Sequence, residues 1–340
     1  MKHRYIGKTG LRVTPICLGT MTFGTGADKK ESFAIMDKAY NRGINFFDTA
    51  ELYPVPPSAH HAGLTETIIG EWMKEKPRDS IILASKVAGA ANGWFVPPIR
   101  HGLTAADRFH MTKALDASLK KLQTDYIDLY QVHWPDMSVP IEETLEVLDG
   151  FVKAGKVRYI GTSNDTAYGL SKANEVSRFK NLSRYESIQN NFSMLNRRAL
   201  DEIATLCKKE EISLLPYSPL AGGVLTGKYN KTKLYPLEYR FAKYLNNKDS
   251  RVRAQADRFL NTKTLSSVDK YLDIAKEYDI SLTTLATAWS MHFDFVASTI
   301  IGATNTTQLD DTFAALEFKI DDELMKKLDA VHNDILYPMG

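Results

Sequence analysis

Ile44-Asn45-Phe46-Phe47-Asp48-Thr49-Ala50-Glu51-Leu52-Tyr53 is a short apolar run that stops at a carboxylate and turns outward to a phenol. Adjacent Phe46 and Phe47 suit a strand covered on both faces, because a strand with one wet face alternates apolar and polar residues. Asp48 therefore stands where the backbone leaves the core, at the C-terminal mouth of the strand, with Tyr53 just beyond. Taken alone, such an Asp is commonly a cap and such a Tyr a surface residue. The rest of the chain gives the pair another meaning.

The alternation of strand and helix extends to both sides of this stretch. Upstream, residues 4–15 carry Gly7-Lys8-Thr9-Gly10 between two short segments and predict a hairpin-like lid. Ile16 to Thr20 reads as a strand. Residues 29–42 place Phe33, Ile35, Met36, Ala39 and Tyr40 at helical spacing and end at Gly43. Downstream, a helix over 64–73 leads to a strand from Ser80 to Lys86, and after a Gly/Pro-rich loop at 88–108 a helix over 110–122 leads to a strand from Tyr126 to His133.

The pattern continues with helix 141–153 before Val157–Gly161, helix 167–177 before Tyr185–Ile188, and helix 198–210 before Ile212–Leu215. Helices at 265–278 and 282–292 precede Ser298–Gly302. Segment 229–263, rich in Lys, Asn, Tyr and Arg, fits none of this and predicts a long inserted loop. Eight strands separated by helices predict a parallel sheet, and eight units without a linker favour closure into a (β/α)8 TIM barrel, one domain over 1–340. An open doubly wound sheet is the alternative.

Composition sets bounds on function. The 340 residues carry 43 Lys plus Arg against 41 Asp plus Glu, with no basic stripe, so nucleic acid is not an expected partner. Cys17 and Cys207 are far apart and lack metal-ligand spacing, as in a reduced compartment. No run of 18 apolar residues occurs and the first residues form no apolar leader, so a cytoplasmic protein without a membrane partner is expected. Two glycine-rich stretches mislead: Lys29 replaces the third glycine of a dinucleotide fingerprint begun at Gly24, and Tyr229 replaces the Ser or Thr of a P-loop begun at Gly222. His60-His61 has no further ligand at metal spacing.

In a barrel the C-terminal strand ends converge on one face, which carries the active site. Asp48, Lys86 and His133 all end strands, on adjacent strands about 4.8 Å apart. A lysine cation beside Tyr53 favours the phenolate and is expected to lower the phenol's pKa from about 10, while a carboxylate keeps the lysine charged. A histidine can then donate to a substrate oxygen. The assembly suits protonation of a carbonyl oxygen as hydride reaches its carbon.

Phe47-Asp48-Thr49-Ala50-Glu51-Leu52-Tyr53, Ala84-Ser85-Lys86 and the run from Asp125 to Pro135 resemble the catalytic segments of the aldo-keto reductases. Gly155 to Asn164, Tyr217-Ser218-Pro219-Leu220 and Ile301 to Thr304 extend the resemblance over nearly the whole chain. Glu51 to Pro57 with Gly63 to Thr67 is similar to the Tas-like branch, which is related to potassium-channel β subunits. The resemblance implies reversible, NADPH-dependent reduction of an aldehyde or ketone, with Tyr53 as general acid, Lys86 depressing its pKa, Asp48 partnering Lys86, and His133 orienting the carbonyl.

It further implies an NADP(H) site. Ser163, Asn164 and Gln189 would hold the nicotinamide carboxamide and Tyr217 would stack on its ring, beside Gly19, Thr20, Met21 and Asp48. Ser218, Pro219, Leu220, Gly222, Gly227 and Lys228 would wrap the pyrophosphate. Arg240 would grip the 2′-phosphate, and Gly302, Ala303, Thr304 and Gln308 the adenosine end. Asp311-Thr312 stands where many members carry Glu-Asn at the adenine. Met21, Phe23, Trp94, Phe95 and Trp134 are the expected substrate walls, suited to an apolar or aromatic carbonyl. An NADP-binding regulatory protein with little turnover is the alternative function. The resemblance gives no oligomeric state.

Overall fold

The computed structural model describes residues 2–89, 105–232 and 234–339. Among them, strands β1 (Arg4–Tyr5) and β2 (Arg12–Val13) form an antiparallel hairpin, and eight further strands form one parallel sheet. These are β3 (Ile16–Gly19), β4 (Phe46–Asp48), β5 (Ile82–Val87), β6 (Ile127–Val132), β7 (Val157–Ser163), β8 (Tyr185–Gln189), β9 (Ser213–Leu214) and β10 (Thr299–Ile301). Their spatial order is β10-β3-β4-β5-β6-β7-β8-β9. Leu214 N–H donates to the Phe295 carbonyl at 2.8 Å, Ala297 N–H to Leu214 at 3.1 Å and Ile300 N–H to Pro216 at 2.8 Å, so the approach to β10 closes the ring on β9. The fold is a (β/α)8 barrel, and the open-sheet alternative is excluded by that closure.

The barrel wall separates two cores. Ile6, Leu11 and Val13 of the hairpin pack with Cys17, Phe46, Ala84, Leu129, Leu215 and Ile300 inside the barrel. The hairpin is thus a plug under the N-terminal strand ends, opposite the mouth: Gly7 N–H donates to Ser213 at 2.9 Å and Lys8 N–H to Glu186 at 2.9 Å, both on the first two residues of their strands. The larger core lies between the outer strand faces and the helices, and includes Leu18, Phe47, Leu83 and Tyr130. Alternate residues of each strand therefore divide between the two, as a pleated strand requires.

The helices are α1 (Lys29–Asn41), α2 (Leu64–Met73), α3 (Arg108–Leu122), α4 (Ile141–Lys153), α5 (Ala167–Lys180), α6 (Ile203–Glu210), α7 (Arg240–Leu245), α8 (Ser250–Phe259), α9 (Thr262–Glu277), α10 (Leu282–His292), α11 (Gln308–Ala314) and α12 (Asp322–Asp334). Side chains of Asp28, Asp107, Thr166, Asn261, Ser281 and Asp321 accept the free backbone N–H groups at the starts of α1, α3, α5, α9, α10 and α12.

Two expectations change, and one helix is additional. The helix foreseen over 198–210 is a 3-10 turn at Arg198–Leu200 followed by α6. The supposed loop 229–263 holds α7 and α8, which fold back on Tyr229: Phe241 stacks on Phe259 at 4.8 Å and packs against Tyr229 at 5.7 Å. At the C-terminal end, α12 buries Leu324, Leu328 and Val331, and Asp329 of that helix pairs with the buried Arg197 at 2.6 Å.

Candidate active site

Strand register brings the polar strand ends together. Gly19 pairs with Asp48 across β3 and β4, Asp48 with Ala84 across β4 and β5, and Lys86 with Gln131 across β5 and β6. Ala84 and Lys86 are two residues apart and share the inner face, so Lys86 rises one layer above Ala84. Lys86 is fully buried, yet among the described residues its ammonium has three oxygen partners: Asp48 Oδ1 at 2.5 Å, the Thr49 carbonyl at 2.8 Å and the Tyr53 hydroxyl at 3.5 Å. Burial is the largest single effect and pulls the lysine pKa down, but Asp48 and Tyr53 together outweigh it and hold the pKa above its ordinary value.

The second Asp48 oxygen is also occupied. Gln189 Nε2 donates to Oδ2 at 2.9 Å and Gln131 Nε2 at 3.4 Å, and the two amides meet at 3.3 Å. A buried carboxylate must have its lone pairs filled this way, because an unpaired buried acceptor is costly. Gln131 went unrecognised in the sequence. The usable signal was an amide between Tyr130 and Val132 in a strand read as covered on both faces; the structure buries it fully, and a buried amide must have a partner.

Tyr53 differs from expectation. Lys86 does pull the phenol pKa down, but burial is the larger effect and Asp48 opposes the lysine, so the net direction is upward. The phenol carries its proton at neutral pH. His133 is 6% exposed; burial first and Lys86 second hold its pKa well below the ordinary imidazole value, so the ring is neutral. Its Nδ1 has no hydrogen-bond partner among the described residues. The ring lies edge-on to Tyr53 at 5.7 Å and stacks on Trp134 at 4.1 Å with planes 6° apart.

A second set of polar groups adjoins His133. Asn164, in left-handed backbone conformation at φ 54°, donates from Nδ2 to the His133 carbonyl at 2.9 Å and accepts the Tyr217 hydroxyl on Oδ1 at 2.7 Å. Ser163 donates to the Gln189 carbonyl at 2.8 Å. Ser163, Asn164, Gln189 and Tyr217 are therefore linked in one network beside the mouth.

Past Pro219 and Leu220 the backbone is left-handed at Ala221, Gly222, Gly223 and Gly227, as it already is at Ser218. A Cβ on Gly222 would lie 2.5 Å from Phe241 Cζ, so this glycine is required for packing on α7. Lys228 lies over Tyr239 at 4.5 Å and Tyr229 at 5.3 Å; burial and the charge of Arg240 lower its pKa. Two crowded cations at the start of the insertion form a spot that an anion would relieve. Further on, Thr304 N–H donates to Gln308 Oε1 at 2.9 Å, Ala303 accepts from Thr22, and Gly302 and Asp311 are exposed.

Two of the candidate residues lie deeper than the mouth. Phe23 is fully buried in the outer core, because the Thr20 to Ala27 turn folds it inward. Thr20 is likewise buried, and its hydroxyl is donated to the Asp48 carbonyl at 2.9 Å. The apolar cluster around Tyr53 instead contains Met21, Val55, Ala62 and Trp134. Val55 N–H donates to the Met21 carbonyl at 2.9 Å, which draws the 54–62 loop across. Trp94 and Phe95 lie outside the described residues.

The model of the Aldo/keto reductase family matches residues 15–333. The chain is 37% identical to "Protein tas" of Escherichia coli (strain K12), over 99% of both chains. It is 35% identical to "Uncharacterized oxidoreductase YrpG" of Bacillus subtilis (strain 168), over 98% of this chain and 96% of that one. It is also 33% identical to the "Probable voltage-gated potassium channel subunit beta" of Oryza sativa subsp. japonica, over 97% of this chain and 96% of the relative. Among the described residues, no helix is long and apolar enough to cross a membrane, and no group of three His, Cys, Asp or Glu side chains is arranged to hold a metal ion.

Proposed function

Because the chain belongs to the aldo/keto reductase family, we propose that it reduces an aldehyde or ketone with NADPH, Tyr53 delivering the proton to the carbonyl oxygen. The observation that carries this reading is the fully buried Lys86 held between Asp48 and the Tyr53 hydroxyl. A buried cation is costly unless its partners are fixed, and here it faces the one atom on which negative charge develops when a phenol gives up its proton.

Bound NADPH supplies hydride to the carbonyl carbon. Neutral His133 offers a ring N–H to the carbonyl oxygen and orients it toward Tyr53. Tyr53 Oη releases its proton to that oxygen, Lys86 stabilises the phenolate left behind, and a proton from water restores the phenol. Burial keeps the phenol protonated at neutral pH, and Lys86, which pulls the pKa down against that burial, eases release of the proton. Asp48 keeps Lys86 charged throughout, and Gln131 and Gln189 hold Asp48 in place.

The residues present fit NADPH. Tyr217, part-exposed and held by Asn164, would take the nicotinamide ring, with Ser163, Asn164 and Gln189 at its carboxamide. Lys228 with the left-handed run around Gly222 and Gly227 suits the pyrophosphate. Arg240 suits the 2′-phosphate, which favours NADPH over NADH, and Gly302 to Gln308 the adenosine end. Met21, Val55, Ala62 and Trp134 give the carbonyl an apolar wall, so aromatic and apolar aldehydes or ketones are the favoured class.

The resemblance to the rice channel-subunit relative supports a second reading, a protein that holds NADP tightly and reports redox state to a partner. Steady-state consumption of NADPH with aromatic, aliphatic and sugar aldehydes separates the two. Turnover with any of these classes supports the enzyme; tight NADP binding with no turnover across the panel refutes it.

A further inference from the structure

The stretch from β4 to α2 holds the end of β5 with three carboxylates, and the proposed chemistry uses only one of them. Asp48 takes the Lys86 ammonium on the inner face. Glu66, fully buried on α2, accepts the Ser85 hydroxyl at 2.7 Å on the outer face. Glu51 acts above both: its Oε1 accepts the Ala88 N–H at 2.5 Å, and its own N–H donates to the Lys86 carbonyl at 3.2 Å. Ser85, Lys86 and Ala88 are thus each tied to a carboxylate from residues 48–66, the segment that also carries Tyr53.

Resting on the carbonyl-reductase reading, we infer that Glu51 is a positioning residue whose two bonds, to Lys86 on β5 and to Ala88 just past it, fix the approach of Lys86 to the Tyr53 hydroxyl. That approach is 3.5 Å, at the long edge of hydrogen bonding, so a small shift of the strand end breaks it. Glu51 reaches β5 from the residue two before Tyr53, so the same backbone segment sets both partners. Glu66 supports the grip from behind, with its second oxygen buried and without a partner among the described residues.

The groups facing Glu51 are Glu66 on α2, Lys121 on α3, and the buried Tyr130 hydroxyl on β6, whose pKa both carboxylates help to raise. Lys121 is the cation that lowers both glutamates, and burial outweighs it, leaving Glu51 at about 7. A hydrogen bond to a carboxylate is about twice as strong as one to a neutral carboxyl. The bond from Ala88 therefore tightens as pH rises through neutrality.

The test compares wild type, Glu51→Ala and Glu51→Gln by steady-state kinetics with NADPH and by NMR-detected amide exchange of Ala88 from pH 5.5 to pH 8.5. For Glu51→Ala the expected result is a fall in kcat of about tenfold or more, since sub-ångström misplacement is costly, with KM and NADPH affinity within about threefold, and loss of Ala88 protection. Glu51→Gln keeps a neutral acceptor, so it retains protection but loses the step near pH 7 that wild type shows beyond intrinsic exchange. Wild-type kcat with intact protection in Glu51→Ala overturns the inference, as does a pH step retained in Glu51→Gln. Should Glu51→Ala fail to fold, Glu51→Gln decides by its pH step. Should wild type reduce no carbonyl, the proposed function fails, and the exchange of Ala88 still decides the clamp.

Discussion

Asp48→Asn tests the charge pair at the barrel mouth. Lys86 and Asp48 are 0% and 3% exposed in their side chains, and their contact is 2.5 Å. Replacing the carboxylate with an amide leaves an ammonium in the barrel with only neutral oxygens as partners, among them the Thr49 carbonyl and the Tyr53 hydroxyl. Breaking a buried pair in this way costs about 3–5 kcal/mol. With an unfolding entropy of about 2 cal/mol/K per residue, a chain of 340 residues should lose about 4–7 °C in Tm.

The pH dependence gives the loss a signature. In wild type the folded pKa of Lys86 lies above 10.5, so its contribution is fully present below 10.5 and is lost only as pH rises through that higher folded value. In Asp48→Asn burial is no longer offset, the folded pKa falls below 10.5, and stability recovers as pH rises toward about 10.5. Urea and thermal melts at pH 7 and pH 9.5 would show a larger deficit at pH 7. The double variant Asp48→Asn with Lys86→Met should be more stable than Asp48→Asn alone, because no unpaired charge remains. A deficit below about 1 kcal/mol, or a double variant no more stable than the single one, refutes the reasoning.

Other consequences follow from the same geometry. Gly63 is left-handed at φ 83°, and a Cβ there would fall 2.1 Å from Lys121 Nζ; Gly63→Ala should cost about 1–2 kcal/mol in urea melts as the lysine swings away from Glu51 and Glu66. Arg240→Met should weaken NADPH binding about tenfold in calorimetric titration while changing NADH less than about threefold. Lys228→Met should weaken both nucleotides and flatten the salt dependence of binding, since its target is common to both.

Much of this was legible in the sequence because strand ends are easy to place. An apolar run that stops at Asp48, Lys86 or His133 puts that residue at the mouth whatever the neighbouring strands do. The register, and with it the contact between Lys86 and Asp48, follows from eightfold closure. Direction was harder to read. Phe23 and Met21 follow the same strand, and only the turn through Ala27 decides that Phe23 enters the core while Met21 stays at the mouth. Glu51 and Glu66 give no signal in the sequence because their partners are distant in the chain: Ala88 just past the end of β5 and Ser85 on it.

The sign of the Tyr53 shift was missed for a related reason. A sequence shows that Lys86 lies nearby but not how deeply the phenol is buried, and depth decided the outcome. The insertion offered a usable signal. Val252, Ala256 and Phe259 recur at helical spacing within α8, and the surrounding charge concealed it.

The central claim is that Tyr53 donates the proton. The most direct measurement is single-turnover hydride transfer by wild type and Tyr53→Phe, each preloaded with NADPH and mixed with an aromatic aldehyde. NADPH should bind both proteins alike, and oxidation of bound NADPH should slow by about 10²–10⁴-fold in Tyr53→Phe, the usual contribution of a positioned acid. Equal rates in the two proteins would contradict the account.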